Sequence, residues 1–381
     1  MSTRTSPTGP KVESWVDRLS GFLERHPRVA LGLADMESRL LRDRLGEIDV
    51  VAPVYVTGLA RSGSTILLEL LARHAGFATH RYRDFPPVLS PVAWNWFVDR
   101  AGTAKGEARE RAHADGIEVT PESPEAFEEP VWMAFFPHLH EPGRDAVLDR
   151  RTSNPPFEAF YRDHIRKMLI VRGGERYLAK ANYNITRIGY LLSLFPDARF
   201  VVPVREPVSH VASLMKQHEL FCREGGIDPR VTRHMSRVGH FEFGLDRRAM
   251  PIDGNGEASL IAGLWEEGRE IEGWAHSWSQ VYGHLADRFN ADPAVAEATL
   301  VVRHEDLCAD PETRMREVLA HCRVEDEAIV AHAAATVRAP DYYAPDFTPA
   351  ESRLIATITA PVADRYGYPD PALTARRAAF R

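Results

Sequence analysis

Apolar residues fall at helical spacing through residues 11–47. Trp15, Leu19 and Phe22 share one face, and Leu31, Leu40, Leu41 and Leu45 share another, which predicts one or two helices forming an N-terminal extension over 11–49. From Val50 the period changes. Val50-Val51-Ala52-Pro53-Val54-Tyr55-Val56 is a short β-branched run, as a strand buried on both faces requires, and Pro53 marks its beginning. A polar turn follows, and then Ile66, Leu67, Leu70 and Leu71 lie on one helical face. Further strands are expected at Tyr177–Ala179, Arg199–Val204 and Ala298–Val302. Helices are expected at Ile185–Leu194, Val208–Phe221, Glu257–Arg288 and Glu312–His321. Short apolar strands alternating with longer helices predict an α/β fold, a parallel β-sheet flanked by helices. Gly225–Asn255 is rich in Gly, His and Arg without a clear period, so residues 222–256 are expected as an irregular insertion capping a substrate site. Residues 1–10 are expected as a disordered tail, and 11–381 as a single domain with its core at 50–325.

Composition narrows the class. Of 381 residues, 44% are apolar and 27% charged, the balance of a globular, soluble chain. A net charge of −7 makes a duplex-DNA binder a poor fit, and no nucleic-acid partner is expected. Cys222, Cys308 and Cys322 are an odd, scattered set that forms neither a disulfide framework nor a zinc ladder, and no metal site is expected. The most apolar long stretch, Ile185–Val204, is interrupted by Arg187, Pro196, Asp197 and Arg199, so no membrane span is expected. The N-terminal residues lack the apolar run of a signal peptide. A reduced, cytoplasmic setting is the expectation.

The turn after the first strand carries the chemistry. Gly58 and Gly63, followed by Ser64-Thr65, have the spacing of a phosphate-binding loop, with Ser64 where such loops carry Lys. Two glycines let the backbone curl around an anion, and successive N–H groups point inward at a helix N-terminus. Ser62, Ser64 and Thr65 add hydroxyls, and Arg61 places a permanent cation inside the loop. A triphosphate enzyme needs the Lys for its β and γ phosphates; this loop suits a shorter anion. The plain alternative is a glycine-rich turn that merely joins a strand to a helix.

Val56-Thr57-Gly58-Leu59-Ala60-Arg61-Ser62-Gly63-Ser64-Thr65-Ile66-Leu67 resembles the 5′-phosphosulfate loop of the sulfotransferases. That family uses 3′-phosphoadenosine 5′-phosphosulfate (PAPS), and its loop typically reads G-x-P-R-S-G-T-T. Ala60 replaces the Pro and Ser64 a Thr. Leu71-Ala72-Arg73-His74 resembles the end of the following helix in the Golgi and bacterial branches. The resemblance implies a P-loop-like nucleotide-binding fold in which Arg61, Ser62, Gly63, Ser64 and Thr65 hold the donor.

A second element agrees. The expected strand Arg199–Val204 ends in Arg205-Glu206-Pro207, and Ser213 lies eight residues past Arg205, two turns into a helix. An Arg at a strand end and a Ser on the same helical face can grip one phosphate from two sides. In the sulfotransferases, residues at this spacing hold the 3′-phosphate of PAPS, which implies that role for Arg205 and Ser213. Taken singly, Arg205 is also readable as a helix-start ion pair and Ser213 as a surface residue. A third resemblance is Val301-Val302-Arg303-His304-Glu305-Asp306-Leu307, then Asp310-Pro311-Glu312. Asp310 is suited to cap a helix and Pro311 to open it, an architectural role.

Sulfuryl transfer requires charge stabilisation on the leaving phosphate and a base for the acceptor hydroxyl or amine. Arg61 suits the first task. In the cytosolic branch a K-x-H follows a strand, and its His is the base; here Lys180 remains but Asn182 stands in place of the His. Lys180 is read as a cation for the sulfuryl oxygens, or else as a surface lysine. In branches lacking that His an acidic residue serves, and Asp84 lies 23 residues past Arg61, close to that interval. Glu129, in Glu125-Ala126-Phe127-Glu128-Glu129-Pro130, ranks second, and His80 third. Each also has a structural reading: Asp84 paired with Arg81 and Arg83, Glu129 in a solvated turn, His80 as a hydrogen-bonded core residue. His210, His218, His234 and His240 match no metal spacing and are expected on a substrate-facing lid. Trp94, Trp96, Phe97, Trp132, Phe135 and Phe136 are candidates for an apolar acceptor pocket, with core packing the simpler reading for most. The expected activity is transfer from PAPS to a small-molecule, glycan or lipid acceptor. A nucleotide kinase or hydrolase, or a non-catalytic nucleotide-binding protein of the same fold, is the alternative.

Overall fold

The computed structural model describes residues 12–102, 109–110, 118–252, 256–339 and 345–368; the tail expected at 1–10 lies outside them. The described residues include seven strands: β1 (Val54–Val56), β2 (Phe77–Ala78), β3 (Arg109–Glu110), β4 (Glu118–Val119), β5 (Arg176–Lys180), β6 (Arg199–Val204) and β7 (Thr299–Arg303). Five of them form one sheet in the order β2-β5-β1-β6-β7, and every pairing in it is parallel. The fold is therefore α/β, with β1 in the middle of a parallel sheet. β3 and β4 form a separate antiparallel pair.

Period-two alternation sorts the sheet residues between two faces. Tyr55, Tyr177, Ala179, Phe200 and Val202 join a core with the helices Pro155–Arg172, Ile188–Leu194 and Glu270–Ala291. Val54, Val56, Leu178 and Val201 point the other way, into a core with Ser64–Leu71, Pro311–His321 and Glu327–Thr336. Covering both faces is what lets a parallel sheet be apolar throughout. Pro203 is tolerated in β6 because β1 stops pairing there at Val201 and only β7 continues alongside.

The helical and strand expectations hold in outline, with physical exceptions. The N-terminal stretch forms three helices, Ser14–Arg25, Pro27–Leu40 and Arg42–Gly46, because Pro27 opens a new helix. The first strand is shorter than its apolar run, since Ala52 adopts a positive φ of 41°. The stretch Glu257–Arg288 breaks at Gly268, whose φ is 76°, into Glu257–Glu266 and Glu270–Ala291. Gly225–Asn255 is not irregular throughout: Pro207–Ile227 runs into it, and Pro229–Arg237 forms a further helix. Asp228 caps that helix by accepting from Arg230 N, with Pro229 in its first turn. Asp17 of the first helix pairs with Arg233 at 3.0 Å and Arg237 at 2.7 Å, which clasps the N-terminal extension to this cap helix. No helix among the described residues is long and apolar enough to cross a membrane.

Candidate active site

Ligands of parallel sheets bind beyond the carboxyl ends of the strands, and here adjacent strand ends deliver the charged residues together. β1 runs into the loop 57–63 and the helix Ser64–Leu71. β5 ends on Lys180, and Arg205 directly follows β6. The loop is anchored on both sides: Thr57 N donates to Val201 O at 3.1 Å, and Ala181 N donates to Val56 O at 3.2 Å.

The loop conformation depends on its glycines. Gly58 has φ 139° and Gly63 φ 106°, values that side-chain-bearing residues rarely adopt. A Cβ at Gly63 would also lie 2.9 Å from His304 Nδ1. Gly63→Ala is accordingly expected to combine backbone strain of about 1–3 kcal/mol with displacement of His304. It should lower the thermal midpoint; a variant that keeps the wild-type midpoint would show that the loop tolerates a side chain.

Arg61 also has a positive φ, 69°, and its Nε donates to Ser213 Oγ at 3.3 Å. Arg205 reaches back to donate to Arg61 O at 3.5 Å. Lys180 Nζ donates to Thr65 Oγ1 at 3.2 Å. The structure thus brings Arg61, Thr65, Lys180, Arg205 and Ser213 to one loop. Ser62 is turned inward, donating to Leu59 O at 2.7 Å and fully buried, so its backbone N–H is what it offers an anion. No side chain caps the helix that begins at Ser64, which leaves its first N–H groups available to a bound anion.

Two buried histidines border the loop. Burial pushes the His210 ring down to about 3, with Arg205, His304 and Arg61 adding to the effect. His304 is pushed to about 4 by burial and then by Arg205. Both rings are neutral near pH 7, and His210 braces the loop through Nε2 at 2.8 Å from Ala60 O. The segment after β7 proves to be a brace as well. Glu305 accepts from Glu206 N at 3.0 Å, while Glu206 caps the helix Pro207–Ile227 through Val208 N and Ser209 N. Asp310 caps the helix Pro311–His321 by accepting from Thr313 N.

A cleft opens beside the loop, lined by Ala60, Arg61, Thr65, Lys180, Asn182, Glu125 and, from the cap, Met235, His240, Glu242 and Phe243. Neither Asp84 nor Glu129 is there. Asp84 is fully buried, receives Arg172 at 2.5 Å and Asn95 at 2.9 Å, and lies 3.3 Å from His80. Burial would raise its pKa, but His80 and Arg172 outweigh it and hold the carboxyl well below the usual range. Glu129 accepts two bonds from the buried Arg187 at 2.8 and 2.7 Å and one from His140 at 2.6 Å. Against burial, Arg187 and His140 lower it to about 2. His80 stacks on His164, with their Nε2 atoms 3.1 Å apart. Trp132 and Phe136 are core residues, while Trp96 and Phe97 are exposed; none of the six aromatic candidates lines the cleft. Sequence reasoning did not single out Glu125, Glu242 or the paired placement of His240. The available signal was His240-x-Glu242, a spacing that puts both side chains on one side of an extended segment. Among the described residues no group of His, Cys, Asp and Glu could hold a metal ion.

Residues 53–238, from the strand before the loop through the cap helix, match the model of the sulfotransferase family. No curated protein matches the chain. Among solved structures, a sulfotransferase from Mycobacterium tuberculosis aligns with TM-score 0.49 and 15% identity over 93% of this chain and 87% of its own. One from Mycobacterium avium aligns with TM-score 0.49 and 15% identity over 94% and 87%. One from Alicyclobacillus acidocaldarius aligns with TM-score 0.39 and 14% identity over 83% and 94%.

Proposed function

We propose that this chain is a sulfotransferase that takes PAPS as donor and a hydroxyl or amine of a small-molecule, glycan or lipid as acceptor. The observation that carries the reading is the convergence of Arg61, Lys180, Arg205 and Ser213 on a phosphate loop whose Lys position is Ser64. PAPS supplies the sulfuryl group and a good leaving phosphate. The loop N–H groups from Ser62 to Thr65 are suited to its 5′-phosphosulfate, and Arg205 with Ser213 to its 3′-phosphate. Arg61 and Lys180 are suited to face the leaving oxygen of such a donor, where their attraction would strengthen as negative charge grows toward the transition state. The same match of residues 53–238 supports sulfuryl transfer in general.

The donor is tested by thermal shift. 3′-Phosphoadenosine 5′-phosphate is expected to raise the melting temperature more than ADP or ATP does, in EDTA as well as in Mg²⁺. Binding to the native state alone contributes about 2.7 kcal/mol at a hundredfold excess over Kd. Equal shifts with ATP, or a strict Mg²⁺ requirement, would favour a nucleotide kinase or hydrolase instead.

A further inference from the structure

Within the proposed sulfotransferase reading, on which this inference rests, we propose that His240 is the general base for the acceptor, with Glu242 and Asn182 as its positioning residues. All three line the cleft that holds Arg61, Thr65 and Lys180.

A chain of contacts runs from the phosphate loop to the imidazole. Thr57, at the start of the loop, donates through Oγ1 to Asn182 O at 3.2 Å. Asn182 Nδ2 donates to Glu242 Oε1 at 2.6 Å. Glu242 Oε2 lies 3.4 Å from His240 Nδ1, and His240 N donates to Met235 O at 2.8 Å. One carboxylate oxygen is therefore held by the end of β5 and the other faces the ring. Glu242 Oε2 makes no hydrogen bond of its own and is the acceptor within ion-pair reach of the ring; a proton on Nδ1 turned toward it would leave Nε2 as the basic nitrogen. Glu242 is buried, with 7% of its side chain exposed, whereas the His240 side chain is 22% exposed: the orienting group is shielded and the ring is reachable. Asn182 occupies the position where the K-x-H pattern has its base. Here it holds the carboxylate that holds a histidine supplied by the cap.

The surroundings agree with that role. Burial would lower the His240 pKa, but the Glu242 charge and contact raise it above its ordinary value, with Glu125 assisting and Lys180 opposing. His234 also faces it, and burial pushes that ring down to about 4, so it is neutral near pH 7. The competing carboxylate in the cleft is Glu125. It accepts from Ala126 N at 2.7 Å, and against burial, Lys180 and the Tyr82 hydroxyl hold it below its ordinary value. A carboxylate so stabilised as an anion is the weaker base.

In the step, His240 Nε2 takes the proton of the acceptor hydroxyl while the acceptor oxygen forms its bond to sulfur. The bond from sulfur to the bridging phosphate oxygen breaks, and its electron pair stays on the phosphate beside Arg61 and Lys180. His240 ends as an imidazolium against Glu242 and returns the proton to solvent.

The test measures release of 3′-phosphoadenosine 5′-phosphate from PAPS with an aliphatic alcohol as acceptor, or water where no alcohol is taken. Nucleotide binding is followed separately by thermal shift. His240→Ala is expected to lose about 10²–10⁴-fold in kcat while still binding 3′-phosphoadenosine 5′-phosphate. Glu242→Gln removes the charge that raises the ring's pKa. The acid limb of its kcat/KM profile is expected to move to lower pH, a change that a merely structural role would not produce. Full turnover in His240→Ala overturns the assignment. So does an acid limb unmoved in Glu242→Gln, or a loss confined to Glu125→Gln. A wild-type protein that does not bind the nucleotide overturns the proposed function instead, a failure visible before any variant is made.

Discussion

Arg61→Ala is expected to lower turnover by about 10²–10³-fold at saturating PAPS, the usual cost of removing one preorganised donor from a developing negative charge. The guanidinium Nε is already oriented by Ser213 at 3.3 Å. Its attraction to the leaving phosphate increases as the sulfur–oxygen bond stretches, so the loss falls on kcat rather than on KM alone. The backbone should survive the change, because alanine at the positive φ of 69° is no more strained there than arginine. The carbonyl that receives Arg205 is retained. Arg205→Ala is expected to differ in kind. It should weaken donor binding by about ten- to a hundredfold, the value of a charged hydrogen bond of roughly 1.5–3 kcal/mol, and erode the preference for a 3′-phosphate over adenosine 5′-phosphate. Steady-state kinetics on both variants separate the roles. If each variant only raises the donor KM, Arg61 binds without assisting the chemistry.

Glu129→Gln is expected to cost about 3–5 kcal/mol of stability, because it leaves a buried Arg187 without its counter-charge. Both side chains are buried, and the Arg187 guanidinium also lies 4.7 Å from the Trp132 ring centre, so the unpaired charge cannot reach solvent without disturbing the core. The pH dependence has a definite sign. Arg187 and His140 outweigh burial and lower the Glu129 pKa from 4.5 to about 2. Its contribution is therefore complete above about pH 4.5 and is lost as pH falls through that window toward 2. Urea unfolding between pH 7 and pH 3 checks both statements. A stable Glu129→Gln protein that binds nucleotide but has lost turnover would return the base role to this carboxylate.

The fold was legible because its signals are local. Val54, Tyr55 and Val56 are β-branched or aromatic and lie between turn residues; the glycines of the loop are needed for its φ values; Pro207, Pro229 and Pro311 open helices at caps formed by Glu206, Asp228 and Asp310. The convergence of Arg61 and Arg205 follows from their places at the ends of parallel strands that turned out to be neighbours. The misreading of residues 225–255 has a local cause too. The helix Pro229–Arg237 buries only Val231 and Met235, too few apolar positions to stand out as a period, and it is held instead by its cap and by ion pairs to Asp17.

The sequence by itself determined the glycine-rich strand-to-helix loop, the strand-end arginine and the α/β layering, because backbone conformation and apolar periodicity depend on neighbours within a few residues. Only the tertiary structure decided which carboxylates face the cleft. Asp84 and Glu129 are engaged by Arg172 and Arg187, partners far along the chain, and no spacing near either acid announces them. Glu125 looked no different from Glu129, four residues on, yet lines the cleft. Asn182 meets Glu242, the neighbour of His240, only because the cap folds over the end of β5. A charge is catalytic or structural according to what surrounds it, and those surroundings are assembled by packing between segments that the chain keeps far apart.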